Sequence, residues 1–214
     1  MENNTQNVKV QVADPSALGM FGLAMVTLVA SSQKLGITEG LSFIIPWAFF
    51  LGGIAQLFAC VQDAKHNNVF GQTAFGAYGL FWIGVGTSWL IQMGVFGKEL
   101  AAQVDPKQLA FAFIGYLVLS LFLTVGAMET NMVLFSIFVL IDVLFVGLIL
   151  STFGIAPELA HDVAAVSEFL ISIIGLYGAG ANVLNNHFGR VVCPVGKPFG
   201  IFKPQAKMKL VKNA

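Results

Sequence analysis

Long apolar stretches alternate with short polar ones along the whole chain. Five stretches contain no Asp, Glu, Lys or Arg, namely 15–33, 40–62, 66–97, 108–128 and 169–189. Each reaches the ~17–25 residues that a helix needs to cross the hydrocarbon core of a bilayer. A sixth stretch, about 131–153, does the same apart from Asp142 at its centre. The pattern predicts an all-α membrane protein built as a bundle of six transmembrane helices.

The composition supports this interpretation. The chain is 57% hydrophobic and 10% charged, with a mean hydropathy of +0.81, whereas soluble domains carry roughly 25% charged residues. Six spans occupy most of the 214 residues, so we expect no separate soluble catalytic domain. The predicted parts are a polar N-terminal tail (1–12), a six-helix transmembrane domain (13–190) and a basic, proline-containing C-terminal tail (191–214), extended or disordered.

Positive charges are divided unequally between the two predicted membrane faces. With six spans, the face with both termini holds eight of the 11 Lys and Arg residues, and the other face holds Lys34, Lys98 and Lys107. The positive-inside rule therefore predicts that both termini are cytoplasmic. No secretory signal is expected, because the N-terminus lacks a basic n-region. The eight residues are Lys9, Lys65, Arg190, Lys197, Lys203, Lys207, Lys209 and Lys212.

The local sequence also predicts where helices begin and end. Asp14 and Pro15 suit the N-cap and first-turn positions of the first helix. Short loops are expected near 63–68, 97–108 and 129–131, and another near 157–162 leads into the sixth span. Cys60 and Cys193 fall near the predicted cytoplasmic face, so we expect them to stay reduced.

Asp142 is the first candidate functional residue. A carboxylate at bilayer depth is costly unless it is paired, protonated or hydrated, and such residues often mark transport pathways. Asp142 is therefore either a pore-lining carboxyl that takes up a proton, or a protonated packing residue hydrogen-bonded between helices. Glu168 is expected to lie near the interface and to reach water, at a different depth from Asp142.

Other polar side chains within the spans are candidates for the lining of a hydrated path. Gln56 follows Gly52-Gly53 in the second span, and Asn182 and Asn185 lie near the end of the sixth. Such amides line a cavity or bond across helices, and for Asn185 helix capping is the alternative. Tyr78 offers an aromatic wall with a hydroxyl tip, but most aromatic residues here are expected to face lipid or pack.

Several classes of function find no support in the sequence. It contains none of the GxSxG, HExxH, P-loop or dinucleotide-binding motifs, so no enzyme activity, catalytic residue or cofactor is predicted. His66, His161 and His187 are scattered and the chain has no CxxC spacing, so no metal site is expected. The basic tail lacks the interleaved aromatic residues of a single-strand nucleic-acid binder.

Five blocks of sequence resemble one known family. They are ADPSALGM at 13–20, GGIAQLFA at 52–59, NVFGQTAF at 68–75, YGLFW at 78–82 and VLNNHFGR at 183–190. In this order they resemble the acetate uptake transporters, whose bacterial members are succinate–acetate permeases. The resemblance covers residues 13–196, which is nearly the whole chain.

The resemblance implies a six-helix protomer in a homohexamer, with a path for acetate and related monocarboxylates, sometimes succinate, in each protomer. It also implies a hydrophobic constriction at Leu23, Tyr78 and Ile141, where the family has an aromatic residue, a tyrosine and a leucine. Asp14, Pro15, Leu18 and Gly19 correspond to a pore-mouth motif, although Asp14 and Ala17 replace its asparagine and second proline.

Two further departures concern charge. Asp142 stands where the compared permeases have a threonine, and Asn182 stands where they have an acid. An ionised Asp142 beside the constriction would repel acetate, so we predict that it is protonated for part of the cycle or lies off the path. Moving an anion through apolar surroundings is costly, which favours proton-coupled transport in the plasma (inner) membrane. A passive anion channel is the alternative, and a membrane sensor or an intramembrane enzyme using Asp142 with Glu168 is less favoured.

Overall fold

The computed structural model describes residues 12–202, and within that range the regular secondary structure is entirely helical. Six helical spans are long and apolar enough to cross a membrane. The sequence prediction of an all-α, six-span membrane protein is therefore confirmed. The spans are α1 (Ser16–Lys34), a composite second span (Ile44–Lys65), α4 (Val69–Gln92), α6 (Pro106–Ala127), α7 (Met132–Thr152) and α8 (Pro157–Phe188).

The second span is not a uniform α-helix. It comprises α2 (Ile44–Trp47), a π-helix (Ala48–Ala55) and α3 (Gln56–Lys65). Gly52 and Gly53 lie against α4 so closely that a Cβ on them would come within 2.7 Å of the Trp82 side chain and 2.6 Å of the Ile83 side chain, respectively. The two glycines thus permit a close helix contact and the wider π-helical turn, a feature that often occurs at functional sites.

Side-chain and proline signals at the helix starts explain most of the boundaries. Asn68 caps α4 by accepting from Gly71 N at 3.1 Å, Asp105 caps α6 by accepting from Lys107 N, and Asn131 caps α7 by accepting from Leu134 N. These residues satisfy backbone N–H groups that have no partner inside the helix. Pro106 and Pro157 occupy the first helical turns of α6 and α8.

Three boundary predictions require correction. The N-cap position of α1 is Pro15, and Asp14 lies one residue earlier, where its Oδ1 still accepts from Ser16 N at 2.9 Å. The predicted loop at 157–162 is the first turn and a half of α8, because Pro157 begins that helix. The 97–108 loop contains one short helix, α5 (Lys98–Ala101).

Small residues set the packing of the longest helix, α8, between α1 and α7. A Cβ on Gly175 would lie 2.9 Å from the Ala24 Cβ of α1, and one on Gly147 of α7 would lie 2.8 Å from the Ala160 carbonyl oxygen. Close contact of this kind is typical of helix association in membranes. Helix α6 packs mainly on α7, and the loops divide the molecule into two ends. We call the end with residues 12–15, the 66–68 turn, the 128–131 turn and residues 189–202 the terminal end, and the other the distal end.

Residues 189–202 lack regular secondary structure but are fastened to the terminal end. Val133 N donates to Val195 O at 3.1 Å, Phe199 N donates to Met128 O at 2.9 Å, and Glu129 Oε1 accepts from Ile201 N and Phe202 N. We call this segment the strap. The predicted basic tail residues Lys203, Lys207, Lys209 and Lys212, like Lys9, lie outside the described residues.

Candidate functional site: a cavity from the terminal end to mid-membrane

A cavity of about 320 Å³ extends from the terminal end into the bundle. Its inner part is lined by the three predicted constriction residues, Leu23 of α1, Tyr78 of α4 and Ile141 of α7. All three are buried and belong to one apolar cluster. Tyr78 faces this cavity rather than the lipid, with its ring centroid 6.1 Å from that of Phe138. We refer to the three residues as the waist.

The outer part of the cavity is more polar. Carboxyl, amide and hydroxyl side chains from four parts of the chain meet there, and their donors and acceptors would suit a small polar solute. Among residues 12–202, those that line the cavity include two carboxyl groups but no Lys, Arg or His. An anion that enters therefore meets no fixed positive charge on the lining residues. The polar residues that line this outer part are Asp14, Ser16, Asp63, Asn68, Thr130, Asn131 and Asn182.

The predicted pore-mouth residues are placed differently from one another. Asp14 lines the cavity, whereas Pro15 is buried and does not line it. Gly19 packs against the Phe75 ring, which leaves no room for a side chain. Leu18 is 40% exposed and does not line the cavity. Only the start of the motif therefore borders the cavity.

Two of the three predicted amides line the cavity, and one does not. Gln56, the first residue of α3, is buried, and its Nε2 donates to Gly52 O of the π-helix at 2.8 Å. Asn182 borders the outer part of the cavity. Asn185 instead holds the strap, because its side chain donates to Cys193 O and accepts from Val192 N and Cys193 N. Cys193 and Cys60 are both free thiols.

Asp142 follows the waist residue Ile141 but turns away from the cavity towards α6. Thr124 Oγ1 lies 2.6 Å from Asp142 Oδ2, and Asp142 is not among the lining residues. The Asp142 Oδ1, Tyr78 hydroxyl and Ser120 hydroxyl oxygens are buried and have no hydrogen-bond partner, and Tyr78 neighbours both Ser120 and Asp142. Of the two interpretations, the hydrogen-bonded position between helices matches the observed contacts.

Glu168 differs from its prediction. It is 2% exposed and forms an ion pair with Lys34 Nζ at 2.7 Å, and the Lys34 carbonyl oxygen is 3.0 Å from His161 Nε2. The long lysine side chain reaches inward from the end of α1, so Glu168 has a charged partner and does not need water. An interfacial position was expected because Glu168 was placed only two turns into the sixth span, whereas α8 already begins at Pro157.

The predicted difference in depth between Asp142 and Glu168 is also wrong. Gly147 faces Ala160 and Ala164, while Gly178 faces Val133. In the antiparallel pair α7–α8 these contacts bring Asp142 and Glu168 to similar levels. Their carboxyl groups nevertheless point to different helices, α6 and α1, so they do not form the shared-proton pair that aspartyl chemistry requires.

Sequence reasoning missed Asp63 as a lining residue. Its Oδ1 accepts from Asn68 Nδ2 at 3.0 Å, and its Oδ2 is buried without a partner. A Cβ on Gly71 would collide with this carboxyl group, so the glycine makes space for it. A usable signal was the acid at the end of an apolar run, followed closely by a capping asparagine and a glycine.

Comparison with known proteins agrees with this architecture. The model of the GPR1/FUN34/yaaH family matches residues 2–197. The chain belongs to this family. As a family member, it is similar to the succinate-acetate/proton symporter SatP of Escherichia coli strain K12, with 29% identity over 188 residues, 87% of this chain and 97% of SatP.

Two further similarities concern acetate proteins. The structure of the bacterial acetate channel SatP superposes with a TM-score of 0.81 and 30% sequence identity, covering 87% of this chain and all of that one. The acetate transporter protein patA of Penicillium expansum is 35% identical over 130 residues, 58% of this chain and 51% of patA. The resemblance inferred from the sequence blocks is thus confirmed, and the protein is an integral, multi-pass member of a transporter and channel family.

Proposed function

We propose that the protein carries acetate and related small monocarboxylates, and in addition succinate, across the plasma (inner) membrane through the cavity and its waist. The observation that supports this proposal is a cavity that is polar in its outer part and lined in its inner part by a ring of apolar side chains, the waist. Such a ring passes a small, weakly hydrated molecule and blocks ions by dewetting. The names of the related proteins, which refer to acetate and succinate, support the substrate class.

We propose further that a proton moves with the acid. Acetic acid has a pKa near that of a glutamate side chain (~4.3), so the anion dominates at neutral pH. The cavity lining offers this anion two carboxyl groups and no cation among the described residues, and an unpaired charge in an apolar ring is costly. Passive anion conduction is the second candidate, favoured by the structural similarity to a protein described as a channel.

The transport test uses purified protein in lipid vesicles and labelled acetate. Leu23→Trp fills the waist and should abolish protein-dependent uptake, whereas Phe21→Trp, on an exposed position of the same helix, should leave it unchanged. The proposed function would be refuted if vesicles that contain the unmodified protein took up no more acetate than protein-free vesicles. Equal uptake by the two variants would refute the assignment of the waist.

A second arrangement of the same vesicles separates symport from conduction. Acetate uptake that alkalinises the outer medium and is driven by an imposed pH gradient supports symport. An acetate current that does not depend on the pH gradient supports the channel. Competition by unlabelled succinate, lactate and formate ranks the substrates.

We also propose a homohexamer with both termini in the cytoplasm. The oligomer is implied by the family resemblance, and the orientation by the excess of Lys and Arg on the terminal side. The mass of the detergent-solubilised complex tests the first, and labelling of Cys193, half-buried at the terminal end, by an impermeant thiol reagent tests the second. A cytoplasmic terminal end predicts labelling of opened cells but not of intact ones.

A further inference from the structure

The Thr124 hydroxyl group lies close to two acceptor oxygens but has only one hydrogen to donate. Thr124 Oγ1 lies 2.6 Å from Asp142 Oδ2 and 3.0 Å from the Ser120 carbonyl oxygen. A threonine hydroxyl has one hydrogen to donate, and a carbonyl oxygen accepts only. If Asp142 carries a proton and donates it to Thr124, Thr124 donates its own hydrogen to Ser120 O and both contacts are full hydrogen bonds. If Asp142 is ionised, the single Thr124 hydrogen goes to Asp142 Oδ2 or is shared between the two acceptors.

The remaining atoms of the cluster connect this carboxyl group to the waist. Asp142 Oδ1 and the hydroxyl oxygens of Tyr78 and Ser120 come from α7, α4 and α6. All three are buried without a partner at hydrogen-bond geometry, although the two hydroxyl groups lie close enough to interact. Buried polar groups in native proteins are nearly always hydrogen-bonded, so each of these is available for an interaction that changes during function. Of the three residues Tyr78 alone lines the cavity, and its hydroxyl oxygen is buried on the side of Asp142 and Ser120.

Few titratable groups lie near Asp142, so few other charges act on its carboxyl group. Within the described residues, α4 contributes only Tyr78. On the facing side, α6 contributes Tyr116, whose hydroxyl is engaged with Ala77 O at 3.0 Å. Helix α8 contributes Glu168, which is paired with Lys34, and α7 has no other titratable residue. No described cation lies in position to hold Asp142 ionised through an ion pair.

We propose that Asp142 is a proton-binding positioning residue that acts on the transported acid through its own charge and through its neighbour Tyr78 at the waist. While Asp142 is protonated, it donates its proton to Thr124, and no negative charge lies behind the Tyr78 ring at the waist. Loss of the proton to water leaves a carboxylate, a much stronger acceptor. It accepts from the Tyr78 hydroxyl, which holds the waist residue towards Asp142, and its charge repels the anion.

This arrangement couples one proton to one acid thermodynamically. Acetate binds better to the form with neutral Asp142, and by reciprocity bound acetate favours protonation of Asp142. The idea rests on the proposed function, because it requires the substrate to reach Tyr78, and it deepens that function by naming the group that carries the proton. It applies equally to symport and to a channel whose occupancy depends on pH.

The experiment measures acetate affinity from the acetate-dependent rise in melting temperature of the purified, detergent-solubilised protein, at acidic and at neutral pH. This readout avoids the free passage of acetic acid through lipid. In the unmodified protein we expect affinity to fall on the order of tenfold between the two conditions. In Asp142→Asn, whose amide imitates the protonated acid, we expect affinity to stay at its acidic-pH value at both.

Two threonine variants complete the design. Thr124→Val removes the hydrogen-bond partner of Asp142 in both of its protonation states, so the pH at which the affinity falls should change. Thr152→Val is the matched control, because Thr152 makes the same bond to the carbonyl four residues earlier, Leu148 O, but has no side-chain partner. Its profile should match that of the unmodified protein.

Each result has a defined meaning. Retention of the full pH dependence in Asp142→Asn, or a loss of affinity that is equal at all pH values, overturns the inference in favour of a purely structural role. If Asp142→Asn does not fold, an unchanged profile in Thr124→Val overturns it. Failure of the unmodified protein to bind or transport acetate at any pH refutes the proposed function itself, and labelled uptake into vesicles distinguishes that case.

Discussion

Two acidic residues lie at similar depth on adjacent helices, and their surroundings differ. Glu168 of α8 is almost fully buried with the ammonium group of Lys34 at 2.7 Å, so its charge is compensated on the spot. Asp142 of α7 has only the hydroxyl of Thr124 as partner, and that hydroxyl also contacts a carbonyl oxygen. Membrane depth alone therefore does not determine the role of an acidic residue. The partner decides whether a buried acid is held as a fixed charge or is free to exchange a proton.

The largest expected effect concerns the ion pair. Lys34→Met leaves Glu168 buried without its cation, and removal of one partner of a buried pair commonly costs about 3–5 kcal/mol. The lower end is expected, because the Lys34 side chain is 17% exposed. Chemical unfolding in detergent measures the loss. The double variant Lys34→Met/Glu168→Leu should recover most of it, since an apolar pair of similar volume replaces a buried ion pair at little cost. No recovery would show that the pair does more than neutralise charge.

A smaller loss of stability is expected when the contact between α7 and α8 is disturbed. This contact places Asp142 and Glu168 at similar depth. In Gly147→Ala the new Cβ would lie 2.8 Å from the Ala160 carbonyl oxygen, so α7 and α8 must separate at a cost of about 1–3 kcal/mol. Gly115→Ala in α6 is the control, because no atom lies within 4 Å of its added Cβ. It should be neutral or slightly stabilising. The measurement is the unfolding midpoint of each variant. Equal midpoints for Gly147→Ala and Gly115→Ala would contradict the packing argument.

The smallest stability effect should come from neutralising Asp142. Asp142→Asn keeps a donor for Thr124 and should change the free energy of unfolding by less than about 1 kcal/mol, whereas Glu168→Gln removes a charge-assisted bond to Lys34 and should cost roughly 1.5–3 kcal/mol. Parallel unfolding curves at neutral pH test the difference. Equal losses would mean that Asp142 is as firmly committed to structure as Glu168.

Much of this organisation was accessible from the order of residues. Hydropathy located six spans because a helix in lipid must be apolar along its length, and the chain order of a few short blocks identified the family. The waist candidates Leu23, Tyr78 and Ile141 came from that resemblance. Sequence periodicity did not distinguish them, because each span carries apolar residues on all of its faces.

Pairing between distant residues could not be predicted in the same way. Lys34 and Glu168 are 134 positions apart, and whether they meet depends on the rotation and register of α1 and α8. The turn of Asp142 towards Thr124, the engagement of Asn185 by the strap and the π-helix at Gly52-Gly53 depend on similar contacts. Composition and hydropathy indicate only whether each segment lies in lipid or in water, and this is a local property of the segment. The partner of a buried polar group is decided by which helix faces come together, and only the packed bundle settles that.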